Sequence, residues 1–147
     1  MLDWLFSTPL PAGTPAPDFS LPDQDGQIVS LASLRGHNVV LVFYPGDDTP
    51  GCTAQLCEFR DQWSAARAKN TLVFGVNPQK QASHRKFTSK YKLPFPLLVD
   101  KGQKMGVAYH ARGLIVKRTV YLIGPDGVIR FARRGMPKAA QVLSHAA

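Results

Sequence analysis

Val39-Val40-Leu41-Val42-Phe43-Tyr44 is an unbroken apolar run, rich in β-branched residues, that Pro45 stops. A strand with one solvated face alternates apolar and polar residues, so a run without alternation reads as a strand covered on both faces. Such a strand needs a sheet with a layer of structure packed on each side. Beyond Pro45, Pro50 and Gly51 are turn residues, and from Cys52 onward Ala54, Leu56, Phe59, Trp63 and Ala66 recur at helical spacing. Cys52 therefore falls in the first turn of a predicted helix. Unsatisfied backbone N–H groups and the positive end of the helix dipole favour an anion there, and a thiol at that position is expected to ionise more readily than a free one.

The rest of the chain supplies the layers. Phe19 to Leu21 and Ile28 to Leu31 flank Asp23-Gln24-Asp25-Gly26 and read as a hairpin. Thr71 to Val76 is a second buried strand, Gln79 to Tyr91 a second helix, Leu97 to Val99 a short strand, and Met105 to Tyr109 one or two helical turns. Thr119 to Ile123 and Val128 to Phe131, joined through Pro125-Asp126-Gly127, form another hairpin, and Val142 and Leu143 suggest a short closing helix. Strands alternating with helices and followed by a hairpin imply an α/β fold built on a layered sheet of mixed strand direction.

A chain of 147 residues with 44% hydrophobic composition suits one domain, residues 1–147, in which roughly 70% of the unfolded surface can be buried. The longest apolar run falls far short of the ~20 residues of a membrane helix, and Met1-Leu2-Asp3-Trp4 lacks a basic signal-like start. A soluble, cytoplasmic protein with no membrane partner is the expectation. The net charge of +8 is scattered apart from a cluster at Arg130, Arg133, Arg134 and Lys138, and no nucleic-acid-binding motif accompanies it. No nucleic-acid partner is expected. His37, His84, His110 and His145 are dispersed in polar surroundings and read as solvated side chains. At the start, Leu2, Trp4, Leu5 and Phe6 form an apolar stub before Pro9, Pro11, Pro15 and Pro17, suited to docking on the body or to a subunit contact.

The chain has two cysteines, Cys52 and Cys57, too few for a secreted disulfide scaffold and close enough for redox or metal chemistry. In isolation the pair could equally be two small buried apolar residues. Thr49 alone could be a turn hydroxyl or a helix cap, and Arg118 alone a surface arginine.

Their flanks decide otherwise. Phe43-Tyr44-Pro45 followed by Thr49-Pro50-Gly51-Cys52-Thr53 resembles the peroxidatic motif of peroxiredoxins, in particular the bacterioferritin comigratory, or PrxQ-type, subgroup. Cys57 and Phe59-Arg60-Asp61 are similar to that subgroup too, as are Ala16-Pro17-Asp18-Phe19 and Arg118 to Ile123. The first dozen residues, an N-terminal extension, and the last ten look unlike it. The resemblance implies a thioredoxin-like fold: a central mixed sheet flanked by helices, with an N-terminal hairpin. It implies a thiol peroxidase acting on hydrogen peroxide and organic hydroperoxides, in which Cys52 attacks the peroxide and Cys57 resolves the sulfenic acid as an intramolecular disulfide. Thr49, Pro45 and Arg118 would complete the catalytic set, with Tyr44, Gly51 and Gln55 lining the substrate pocket. Many relatives carry Glu where Gln55 stands. Thioredoxin or a similar dithiol is the implied reductant, no metal or organic cofactor is expected, and a monomer or weak dimer is expected. Two other activities are weighed against this one. A thioredoxin-like disulfide reductase usually needs Cys-x-x-Cys, which the chain lacks, and a copper carrier on the same fold favours a shorter cysteine spacing.

Overall fold

The computed structural model describes residues 8–147, so the stub from Leu2 to Phe6 lies outside the described residues. The elements run β1 (Ser20–Pro22), β2 (Ile28–Ser30), β3 (Asn38–Phe43), α1 (Pro50–Asp61), α2 (Trp63–Ala68), β4 (Thr71–Asn77), α3 (Gln81–Tyr91), β5 (Leu97–Val99), α4 (Lys104–Ala108), β6 (Thr119–Ile123), β7 (Ile129–Arg134) and α5 (Ala139–Leu143). Five strands make one sheet in the order β5-β4-β3-β6-β7, and β1 and β2 form a separate antiparallel hairpin. β3 and β4 are parallel, as are β4 and β5, whereas β6 is antiparallel to both β3 and β7. This is the expected mixed sheet and N-terminal hairpin of a thioredoxin-like fold.

The apolar run takes the middle of the sheet because both of its faces have something to meet. Val40, Val42 and Tyr44 pack with Cys52, Leu56, Phe59, Phe87, Phe131 and Val142, so α1, α3 and α5 cover that face. Val39, Leu41 and Phe43 point the other way, into Phe19, Leu31, Met105, Tyr109 and Tyr121. Each large side chain buried this way contributes about 1.5–3 kcal/mol.

Three details differ from the periodicity. The helix expected to run from Cys52 through Ala66 breaks at Gln62 (φ −96°, ψ 12°), beyond which Trp63 lies 6.0 Å from the Phe95 ring and Ala66 stays buried. α3 begins at Gln81 rather than Gln79, because β4 runs on to Asn77, whose Oδ1 accepts from the Gln79 amide at 2.8 Å. β7 extends to Arg134, paired with Thr119.

Gly75 in β4 is a packing requirement. A Cβ there would stand 2.6 Å from Leu97 Cδ2 and 2.9 Å from Tyr44 Cε1. Gly75→Ala is therefore expected to cost about 1–3 kcal/mol through overpacking, read as a lower urea midpoint; an unchanged midpoint would show that Tyr44 and Leu97 can yield.

Candidate active site

β3 delivers the chain to a loop, Tyr44 to Thr49, that ends at the start of α1. Pro50 occupies the first helical position, where its fixed φ suits the helix and its missing N–H costs nothing. The first i→i−4 bond is Thr53 N–H to Thr49 O at 2.8 Å, leaving the amides of Gly51 and Cys52 as helix-start donors. Cys52 is buried, 1% exposed, and both it and the half-buried Cys57 are free thiols.

Sheet register brings the distant cation. Phe43 pairs with Thr119, so Arg118, one residue before β6, stands level with Tyr44 and shares the face of Val120. Its Nη2 donates to Cys52 Sγ at 3.3 Å and its Nη1 to Gln55 Oε1 at 2.7 Å. Gln55 Nε2 in turn donates to Gly135 O at 3.4 Å, and the Gly135 amide donates to Arg118 O at 2.8 Å. Both arms of the guanidinium fork are thus held. Because Gln55 is neutral, it holds the fork without neutralising its charge. A Cβ on Gly51 would stand 3.4 Å from Arg118 Nη2, in ordinary van der Waals contact, so the guanidinium lies directly over the helix start.

The structure thus brings Cys52, Arg118, Gln55 and Gly51 together. Pro45 sits half-buried at the head of the loop. The Thr49 hydroxyl donates to Gly46 O at 3.1 Å and makes no cap on α1. Tyr44 is fully buried, with its ring on Phe87 and its hydroxyl donating to Asp47 Oδ1 at 2.5 Å. Burial first, then the Asp47 carboxylate, push the Tyr44 phenol well above its ordinary range, so it stays a donor. Cys57 lies on the same continuous helix as Cys52, five positions on.

Asp47, Asn77 and Ser83 were not singled out in the sequence. Asp47 Oδ1 also accepts from Asn77 Nδ2 at 3.2 Å, and Oδ2 meets Ser83 Oγ at 2.7 Å and His84 Nδ1 at 2.6 Å. His84 is fully buried, which corrects its reading as a solvated side chain; His37, His110 and His145 are exposed. The signal was present in α3, where His84, Phe87 and Tyr91 recur at helical spacing and face inward together.

Burial pushes the Asp47 carboxyl up, but bonds from His84, Tyr44 and Ser83 outweigh it and hold it below its ordinary value. A carboxyl lowered on folding stabilises the protein fully above its unfolded pKa, about 3.9, and that stabilisation is lost as pH falls through the lower folded value. Urea midpoints of the wild type are therefore expected to drop more steeply below about pH 4 than those of Asp47→Asn; parallel curves would refute the assignment.

Among the described residues no group of three or more His, Cys, Asp or Glu could hold a metal ion, and no helix is long and apolar enough to cross a membrane. What the site offers is a sulfur nucleophile against a permanent cation, with backbone donors alongside.

The AhpC/TSA family profile matches residues 12–132. Over 123 residues the chain is 43% identical to the chloroplastic peroxiredoxin Q of Oryza sativa subsp. japonica, covering 81% of this chain and 57% of that protein. The chain thus spans little more than half the length of the plant relatives it matches. It is 40% identical over 129 residues to the peroxiredoxin bcp of Coxiella burnetii, covering 80% of this chain and 83% of that one. The crystal structure of peroxidoxin BcpB from Mycobacterium tuberculosis superposes with a TM-score of 0.86 at 30% identity, over 91% of this chain and 94% of that one. On the fold, the helix-start cysteine beneath its arginine, and these matches, the chain belongs to the AhpC/TSA family, among the peroxiredoxins of the PrxQ and Bcp type.

Proposed function

We propose that the protein is a thiol-dependent peroxidase that reduces hydrogen peroxide and organic hydroperoxides. The observation that carries this reading is the Arg118 guanidinium 3.3 Å from Cys52 Sγ at the start of α1. The Cys52 thiolate attacks the nearer peroxide oxygen, the O–O bond breaks, and water or an alcohol leaves once its oxygen takes a proton. Arg118 and the Gly51 and Cys52 amides meet the charge that builds on the oxygens, where donors act more strongly than in water. Pro45 shields the sulfur, and the Thr49 hydroxyl, on turning from Gly46 O, orients the peroxide. Tyr44 supports the loop from beneath, while Gln55 holds Arg118. The Cys52 sulfenic acid is then attacked by the Cys57 thiolate, giving a disulfide and water.

A dithiol of the thioredoxin type returns both cysteines to thiols. The protein works as a single domain, a monomer or weak dimer, in the cytoplasm, where thiols are kept reduced. Steady-state turnover of hydrogen peroxide with thioredoxin, thioredoxin reductase and NADPH tests the scheme. Wild type is expected to turn over and Cys52→Ser to consume no peroxide. Wild type that keeps both thiols when peroxide is added would end this reading.

A further inference from the structure

The side-chain hydrogen bonds that hold the loop carrying Pro45 and Thr49 come from one side. Its side-chain bonds run to the end of β4, to α3 and within itself. Asp47 meets Asn77, Ser83 and His84, the Asp47 amide donates to Gln79 Oε1 at 2.5 Å, and Asp48 accepts from Lys90 Nζ at 2.8 Å and Tyr91 OH at 2.6 Å. Among the described residues no side-chain bond from this loop reaches α1, and the chain passes into α1 through Thr49 and Pro50. The Asp48 contacts are exposed and worth little. The buried contact, with side chains of Asp47 and His84 at 3% and 0% exposure, is the one that can fix geometry.

Donor counting assigns the protons. The four groups around the Asp47 carboxylate are Tyr44 O–H, Asn77 N–H, Ser83 O–H and His84 Nδ1. The first three can each donate, which suits an ionised carboxylate that only accepts, and Nδ1 must then be a donor as well. On the other side of the ring His84 Nε2 lies 3.0 Å from the Leu98 carbonyl oxygen, which cannot donate. A neutral imidazole has one N–H and would leave one of these two contacts without a proton. Both are satisfied only when the ring carries two.

We propose that Asp47 and a doubly protonated His84 form a buried ion pair that positions the Tyr44 to Thr49 loop over Cys52, anchoring it to α3 and β5 so that it keeps its place when α1 opens. Both are positioning residues for the peroxide step. The proposal rests on Cys52 being the reacting thiol. It separates the site into a part that stays fixed, the loop, and a part that must open, α1. Because the pair is buried, removing either partner leaves the other without its counter-group, and the loop loses the bond that sets its position.

The test has two parts. In wild type at neutral pH, nitrogen NMR of the His84 ring is expected to show a proton on both nitrogens; one bare ring nitrogen would overturn the proposal. In a Cys57→Ser background, Asp47→Asn and His84→Gln are each expected to slow the single-turnover oxidation of Cys52 by about 10- to 100-fold, the scale of a misplaced catalytic geometry. Amide exchange over residues 45–49 should rise while that of β3 and β6 does not. The double variant is expected to be no slower than the worse single one, since both remove the same interaction. Oxidation at the parent rate, unchanged exchange in the loop, or effects that add would each refute it. Should a variant fail to fold, the wild-type ring protons still decide. Should wild-type protein not react with peroxide, the peroxidase reading falls, while the ring protons and loop exchange continue to test the ion pair.

Discussion

Arg118→Ala is expected to slow the reaction of Cys52 with hydrogen peroxide by about 10²–10³-fold, the loss that follows removal of one preorganised donor from a developing charge. The size follows from what the guanidinium does. Its Nη2 meets the sulfur at 3.3 Å, a contact already present before the peroxide arrives, and its fork can also reach the peroxide oxygens as the O–O bond breaks. Only the second contribution grows in the transition state, so alanine should lower the rate constant even at a pH where the thiol is fully ionised. Arg118→Lys separates the two effects. It keeps the charge but loses the planar fork that reaches Gln55 Oε1 and Cys52 Sγ together, and should recover only part of the rate. Stopped-flow single turnover of the Cys57→Ser protein measures both variants. A rate within twofold of the parent for Arg118→Ala would remove Arg118 from the mechanism.

The second large effect concerns Cys57. α1 is continuous from Pro50 to Asp61, so the cysteines are five helical positions apart, about 8.5 Å at Cα and pointing about 140° away from one another. A disulfide needs Cα atoms within about 7 Å. The first turns of α1 must therefore unwind before Cys57 can reach the Cys52 sulfenic acid. Unwinding withdraws the buried Leu56 from the core and breaks the Gln55 bonds to Arg118 and Gly135. It also strains the contact from the Ala139 amide to Glu58 Oε2. Withdrawing one large apolar side chain costs about 1.5–3 kcal/mol, which alone would hold the open form below about a tenth of the reduced protein.

The oxidised protein is thus expected to contain an intramolecular Cys52–Cys57 disulfide, with lower helicity and faster amide exchange across residues 50–60 than the reduced form. Cys57→Ser should oxidise once and then fail to recycle, losing steady-state turnover with thioredoxin. A sulfenic acid that waits for α1 to open is also exposed to a second peroxide and to irreversible oxidation. Leu56→Ala, which weakens the hold of α1 on the core, should shift that race toward the disulfide. Mass spectrometry after one equivalent of peroxide reads the outcome: a disulfide between two chains, or none, would refute the resolving scheme.

The place of Cys52 in the first turn of a helix and the two-faced strand before it were legible in the sequence, because each is written in consecutive residues. An apolar run without alternation, a proline stop, a Pro-Gly turn and an apolar stripe at helical spacing need no distant partner to be read. The hairpins and the order of strands and helices followed from the same local signals. Arg118 could be named only by resemblance. It lies 66 residues from Cys52, and nothing in its own neighbourhood distinguishes it from a surface arginine. What puts it on the sulfur is the pairing of Phe43 with Thr119, a register that exists only once β6 has closed on β3. His84 was misread for the same reason: its charged neighbours Arg85 and Lys86 are exposed on α3, while its ring meets an aspartate 37 residues away and a carbonyl of β5. Local chemistry specifies which groups a segment presents, but which of them meet is set by sheet register and by the inward face of each helix, and those are properties of the packed chain.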